Sequence, residues 1–129
     1  MQNEISAIKY WQKASKQDFE TAKILYSNKK YHHALFFCHL SIEKALKAVI
    51  IDKTKKAPPF VHDLLRLAER STLILSEDVK SGLLEITTFN IQARYDDYKL
   101  SFYKKATKAF TLKYFNKTKE ILKWLNEQV

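Results

Sequence analysis

Three groups of residues have the types and spacing to do chemistry. The first is Arg94-Tyr95-Asp96-Asp97-Tyr98-Lys99, which puts a guanidinium, two phenol rings and two carboxylates into six consecutive positions. Arginine holds phosphate through two parallel hydrogen bonds, and tyrosine stacks on a nucleobase. The competing reading is internal: Arg94 pairs with Asp96, Asp97 or Glu43 and locks the segment onto the fold. A position in a loop, where sites concentrate, favours the first reading. The second group is His32, His39, Glu43 and Lys47, spaced by seven, four and four residues and so on one face of a helix. His39 and Glu43 stand at the i, i+4 spacing at which a helix presents metal ligands. Two ligands do not make a site, and neither HExxH nor a carboxylate-rich partner helix is present, so no metal is expected. The plainer reading is a solvated stripe in which Glu43 pairs with Lys47, worth about a few tenths of a kcal/mol. The third group is His62-Asp63, just ahead of Leu64-Leu65. There a side chain can satisfy the orphan N–H groups of a helix start, and this structural role is expected over catalysis.

Other devices are absent. A single glycine cannot build the Gly-rich loop of a Walker or Rossmann site. Cys38 is the only cysteine, so there is neither an internal disulfide nor a cysteine pair for zinc. No serine sits in a nucleophile elbow. No cofactor is implied by any of these patterns.

The elements that must position these groups are helices. Ile8, Trp11, Ser15, Phe19, Ala22 and Tyr26 recur at helical spacing and predict a helix from about Ile5 to Ser27. Asn28-Lys29-Lys30 is the turn. A second helix is expected from about Tyr31 to Asp52, with Ala34, Phe37, Cys38, Ser41, Ala45, Ala48 and Val49 inward; small residues there let neighbouring helices approach. Pro58-Pro59 makes Lys53 to Phe60 a loop. A short helix follows from Leu64 to about Arg70. Ser76 with Glu77 and Asp78 opens the next, which runs to about Ala93. Gly82 inside it carries the usual helix penalty of about 1 kcal/mol. Arg94 to Phe102 reads as a polar, aromatic loop, and a last helix runs from about Tyr103 to Glu127. The expected fold is all-α: an antiparallel, up-and-down four-helix bundle with one short additional helix, in a single domain over residues 1–129.

With 129 residues and 46% hydrophobic content, one domain can bury a real core. The absence of a signal peptide and of a disulfide framework points to the cytoplasm. No apolar run approaches the roughly 20 residues of a membrane span. The formal charge of +9 suits an acidic partner such as RNA or a nucleotide, although lysines spread along the whole chain also suit a merely soluble exterior. Tyr10-Trp11, Phe36-Phe37 and Tyr114-Phe115 are adjacent pairs, so one ring of each faces outward, as a dimer interface would use.

Four stretches carry a family resemblance. They are Ala14-x3-Asp18-x3-Ala22-x2-Leu25, then Ala34-x3-Cys38-His39-x3-Glu43-Lys44-Ala45-Leu46-Lys47-Ala48, then His62-Asp63-Leu64, and finally Ala93-Arg94-Tyr95-Asp96-Asp97-Tyr98. In this order and spacing the chain resembles the HEPN family (higher eukaryotes and prokaryotes nucleotide-binding). The resemblance implies a helical bundle that forms homodimers. It also implies a link to nucleotides or RNA, often beside a separately encoded minimal nucleotidyltransferase in prokaryotic toxin–antitoxin or defence systems. Its catalytic branch comprises metal-independent ribonucleases marked by Arg followed after four to six residues by His. Here the corresponding positions after Arg94 are Lys99, Leu100 and Ser101, and no histidine lies downstream. Arg66 and Arg70 have no histidine at that distance either. The proton-transfer group of that route is missing.

The expected function is therefore a non-catalytic module that dimerises and binds a nucleotide, RNA or a nucleotidyltransferase. Arg94, Tyr95, Asp97, Tyr98, Lys44 and Lys47 are the candidate contacts, with His39, Glu43 and His62 in support. The alternatives are a ribonuclease in which His39 or His62 converges on Arg94, and a helical scaffold with no ligand.

Overall fold

The stretch Tyr31–Thr54 is apolar around most of its circumference, and such a helix has to be enclosed by others. The computed structural model, which describes residues 2–129, shows this enclosure. Its helices are α1 (Gln2–Ser27), α2 (Tyr31–Thr54), α3 (Leu64–Arg70), α4 (Glu77–Arg94), α5 (Asp96–Lys105) and α6 (Lys108–Glu127). No strand occurs among the described residues. All five other helices pack against α2. The long helices α1, α2, α4 and α6 form the expected up-and-down bundle. Leu35, Ile42, Leu46 and Val49 of α2 meet Leu83, Ile86 and Phe89 of α4 and Ile121 and Leu125 of α6 in one core. No described helix is long and apolar enough to cross a membrane.

Small residues set the closest approaches. Ser15 of α1 donates a 2.6 Å hydrogen bond to the Ser41 carbonyl of α2, which only short side chains between the helices permit. Gly82 has the same role between α4 and α6. A Cβ there would lie 3.0 Å from Lys117 Cε and 3.3 Å from Ile121 Cδ1, so the glycine that weakens the helix locally serves its packing.

Helix starts follow the expected chemistry where a cap is present. Asp63 accepts from the Leu65 and Arg66 amides, Ser76 from Val79 and Thr107 from Phe110. α2 starts without a side-chain cap at Lys30.

The expected loop from Arg94 to Phe102 is instead mostly helix, and the last long helix begins at Lys108 rather than Tyr103. The chain therefore has two short helices, not one. Tyr95, with extended backbone (φ −100°, ψ 129°), breaks α4 from α5. Beyond it, Asp96 and Asp97 occupy the first turn of α5 and Lys104 and Lys105 the last, the order that the helix dipole favours. Only Phe102 of this helix is buried, its ring 5.6 Å from that of Phe89. One anchor in ten residues leaves no apolar stripe to read.

Candidate functional site

Glu43 lies midway along α2 and is 4% exposed. A carboxylate taken that far from water needs partners on both oxygens. Oε2 faces the Lys47 ammonium at 3.3 Å, one turn along the same helix. Oε1 accepts from His62 Nδ1 at 2.9 Å. Lys47 in turn lies over the Trp11 ring of α1, 5.0 Å from its centroid, so its charge is held by a carboxylate and a π face.

His62 is positioned from two directions. Its backbone carbonyl accepts from His39 Nε2 at 3.0 Å and from Thr87 Oγ1 at 3.4 Å. The same Thr87 hydroxyl accepts from the Leu64 amide at 3.0 Å. The segment before α3 is thereby clamped between α2 and α4. The His62 ring is half-exposed, and with Nδ1–H committed to Glu43 its Nε2 has no protein partner among the described residues. A carboxylate fixing the imidazole tautomer and leaving the far nitrogen bare is the geometry of an oriented proton acceptor.

His39 is fully buried. Burial is the main cause that holds its pKa below the ordinary value; the bond to the His62 carbonyl and the Glu43 charge oppose this, and the His62 and Arg94 charges add to it. The neutral ring carries its proton on Nε2, where it meets the carbonyl. Nδ1 is left without a hydrogen-bond partner, 3.9 Å from Glu43 Oε1.

The solvated stripe expected for these residues is thus incorrect. His39, Glu43 and Lys47 do share a face, but it is covered by Trp11 and the His62 segment, which come from elsewhere in the chain. His32, two turns earlier on α2, stands apart from this group and packs on Tyr103 at 5.3 Å.

Arg94, Tyr95, Asp97 and Tyr98 are all exposed where α4 ends and α5 begins. Asp96 is taken by Lys99 at 3.0 Å, and Glu43 by Lys47 and His62. Arg94 has no ion pair among the described residues. The internal pairing weighed for it from sequence is absent, while its field reaches the buried His39. Lys44 is committed elsewhere: its ammonium lies 2.6 Å from Asp18 Oδ2 of α1, a close ionic contact without the alignment of a hydrogen bond. The structure thus gathers His39, Glu43, Lys47 and His62, with Arg94 in electrostatic range, and leaves Lys44 on the α1 side. Trp11 and Thr87 were not singled out as part of this group from sequence. The hint for Thr87 is the Leu64 amide, a helix-start donor that Asp63 does not satisfy. No group of three metal-ligating side chains occurs among the described residues.

The HEPN domain family model matches residues 8–128, nearly the whole chain. The chain belongs to the HEPN family. Two solved structures share the fold of this HEPN domain. TT1696 from Thermus thermophilus superposes with a TM-score of 0.82 at 17% identity, over 95% of this chain and 98% of that one. ST0689, described as an archaeal HEPN homologue, gives 0.76 at 20% identity, over 94% and 96%. No curated protein matches the sequence. Lys99, Leu100 and Ser101, the positions after Arg94 without a histidine, are exposed residues of α5 in this HEPN domain.

Proposed function

We propose that this HEPN domain is a homodimeric binding module that engages a nucleotide or RNA at the α4–α5 bend. The observation that carries the reading is Arg94, without an ion pair among the described residues and flanked by the exposed rings of Tyr95 and Tyr98, with its charge felt at His39. A guanidinium without a carboxylate is available to phosphate, and the tyrosines supply stacking faces. Leu84 and Ile91, two turns apart on α4 and both about half exposed, support self-association through the outer face of that helix. A separately encoded minimal nucleotidyltransferase, in a prokaryotic toxin–antitoxin or defence setting, is the partner class that family membership favours. Calorimetry with ATP, other nucleotides and short RNA tests the ligand half. Binding weakened by Arg94→Ala is expected; silence from every ligand, with no effect of the substitution, rejects it.

One observation favours a second reading, a ribonuclease with a rearranged site. His62 Nε2, oriented by Glu43 through Nδ1, is free to take the proton of a ribose 2′-hydroxyl as its oxygen attacks the adjacent phosphorus and the 5′-oxygen leaves. RNA cleavage by the purified protein, lost in both His62→Ala and Arg94→Ala, is the outcome this reading requires. An intact RNA after prolonged incubation removes it.

A further inference from the structure

At the far end of α5 from Arg94, the α1–α2 turn and the α5–α6 junction enclose a cavity of about 430 Å³. Lys29, Lys30, His32, His33 and Lys104 line it, and no carboxylate does. None of these three lysines has an ion pair among the described residues.

The backbone brings two helix starts to the cavity, beside the ends of α1 and α5. α2 starts at this cavity with no side-chain cap and no acidic residue in its first turn. α6 starts beside Thr107, also without an acidic residue in its first turn. A helix start carries about half a positive charge, and acidic residues are the usual company. Three lysines and two imidazoles therefore converge with no carboxylate among them. His32 registers the result: burial first, then His33 and Lys30, hold its pKa below the ordinary value.

We propose that this cavity is a binding site for a phosphate group, held by Lys30 and Lys104 with Lys29, His32 and His33 in support. Phosphate fits better than a carboxylate because several donors converge from different sides and a single charge would leave most of them unanswered. Tyr103, exposed at the rim with its ring edge-on to His32, offers a stacking face to a base carried on that phosphate. The assignment does not depend on the reading of the α4–α5 bend. The two sites lie at opposite ends of the ten-residue α5, about 15 Å apart by helix rise. A mononucleotide spans one of them, whereas a strand of several nucleotides reaches both.

The test is an NMR titration of the His32 and His33 ring protons against pH in sodium chloride, inorganic phosphate, adenosine, adenosine monophosphate and a short single-stranded RNA, at matched ionic strength. Lys29, Lys30, Lys104, Tyr31 and Tyr103 are the other titratable groups facing these rings. Inorganic phosphate and the monophosphate are expected to raise the His32 pKa, and chloride and adenosine to leave it unmoved. Lys30→Ala combined with Lys104→Ala should abolish the rise, and Lys104→Glu should weaken it at least about tenfold in ligand concentration. Both lysines are at the surface, and an unchanged far-ultraviolet spectrum checks the fold of each variant. RNA binding at least about tenfold tighter than the monophosphate names a nucleic-acid strand as the source of the phosphate; equal or weaker binding names a free nucleotide. Arg94→Ala should leave the His32 response intact, which separates this site from the one at the bend. A phosphate response no larger than that to chloride, an equal response to adenosine, a response unaltered by the lysine substitutions, or loss of the response in Arg94→Ala would each overturn the proposal.

Discussion

Glu43 is the residue on which the inner polar group turns. It meets Lys47 on one oxygen and His62 on the other, and both Glu43 and Lys47 are almost wholly out of water. Removing one member of such a pair strands the other charge, so Glu43→Ala should lower stability by about 3–5 kcal/mol in urea denaturation. Replacing both, with Glu43→Leu and Lys47→Met, should cost markedly less, because no charge is left buried. His39 gives a pH signature. Its folded pKa lies below the unfolded one, so below about pH 6.5 the unfolded chain binds a proton that the folded ring resists. Stability should be level above that pH and fall as the pH drops towards the folded pKa. His39→Gln, which keeps a donor for the His62 carbonyl, should flatten that fall in denaturation curves recorded across the range. At this scale the sequence was half legible. The spacing of His39, Glu43 and Lys47 put them correctly on one face. Their burial was not readable, because the covering groups, Trp11 and His62, lie far away in the chain and belong to other elements.

The long helices were readable because their periodicity reports burial directly, and α1, α2 and α4 lie close to where that periodicity and the caps place them. The α5 helix was not. It is held by local charge order and by one buried ring, Phe102, and neither leaves a repeating pattern. Phe102→Ala should therefore release α5 selectively. A buried Phe→Ala substitution costs about 3–5 kcal/mol, and the loss should appear first as faster amide exchange over Tyr98–Lys105, with α1 and α2 still protected. Uniformly faster exchange throughout the bundle would mean that α5 is no separate unit. Because α5 carries Tyr98 at one end and Lys104 at the other, its detachment should also weaken ligand binding at both ends.

Across the whole molecule, the bundle puts its apolar mass around α2 and spreads a charge of +9 over the outside. Such a field raises the affinity for any polyanion, and that general attraction falls with salt. A specific contact has to exceed it. A homodimer formed through Leu84 and Ile91 of α4 should dissociate on Ile91→Glu in sedimentation velocity runs, since a charge would then replace one of its two exposed apolar side chains; an unshifted dimer would place the interface elsewhere. The all-helical architecture was legible from one glycine, two prolines and the apolar spacing, whereas the inner polar group was legible only as separate pieces, since His62 joins the α2 face through tertiary packing. Arg94 is proposed as a specific ligand contact and not one more surface charge. The most direct measurement is fluorescence anisotropy of a labelled single-stranded RNA with the wild type, Arg94→Ala and Arg70→Ala. Arg70 is an exposed arginine on α3, so both variants remove the same charge. Affinity should fall about tenfold or more for Arg94→Ala and by about twofold or less for Arg70→Ala; equal losses, or none, would contradict the account.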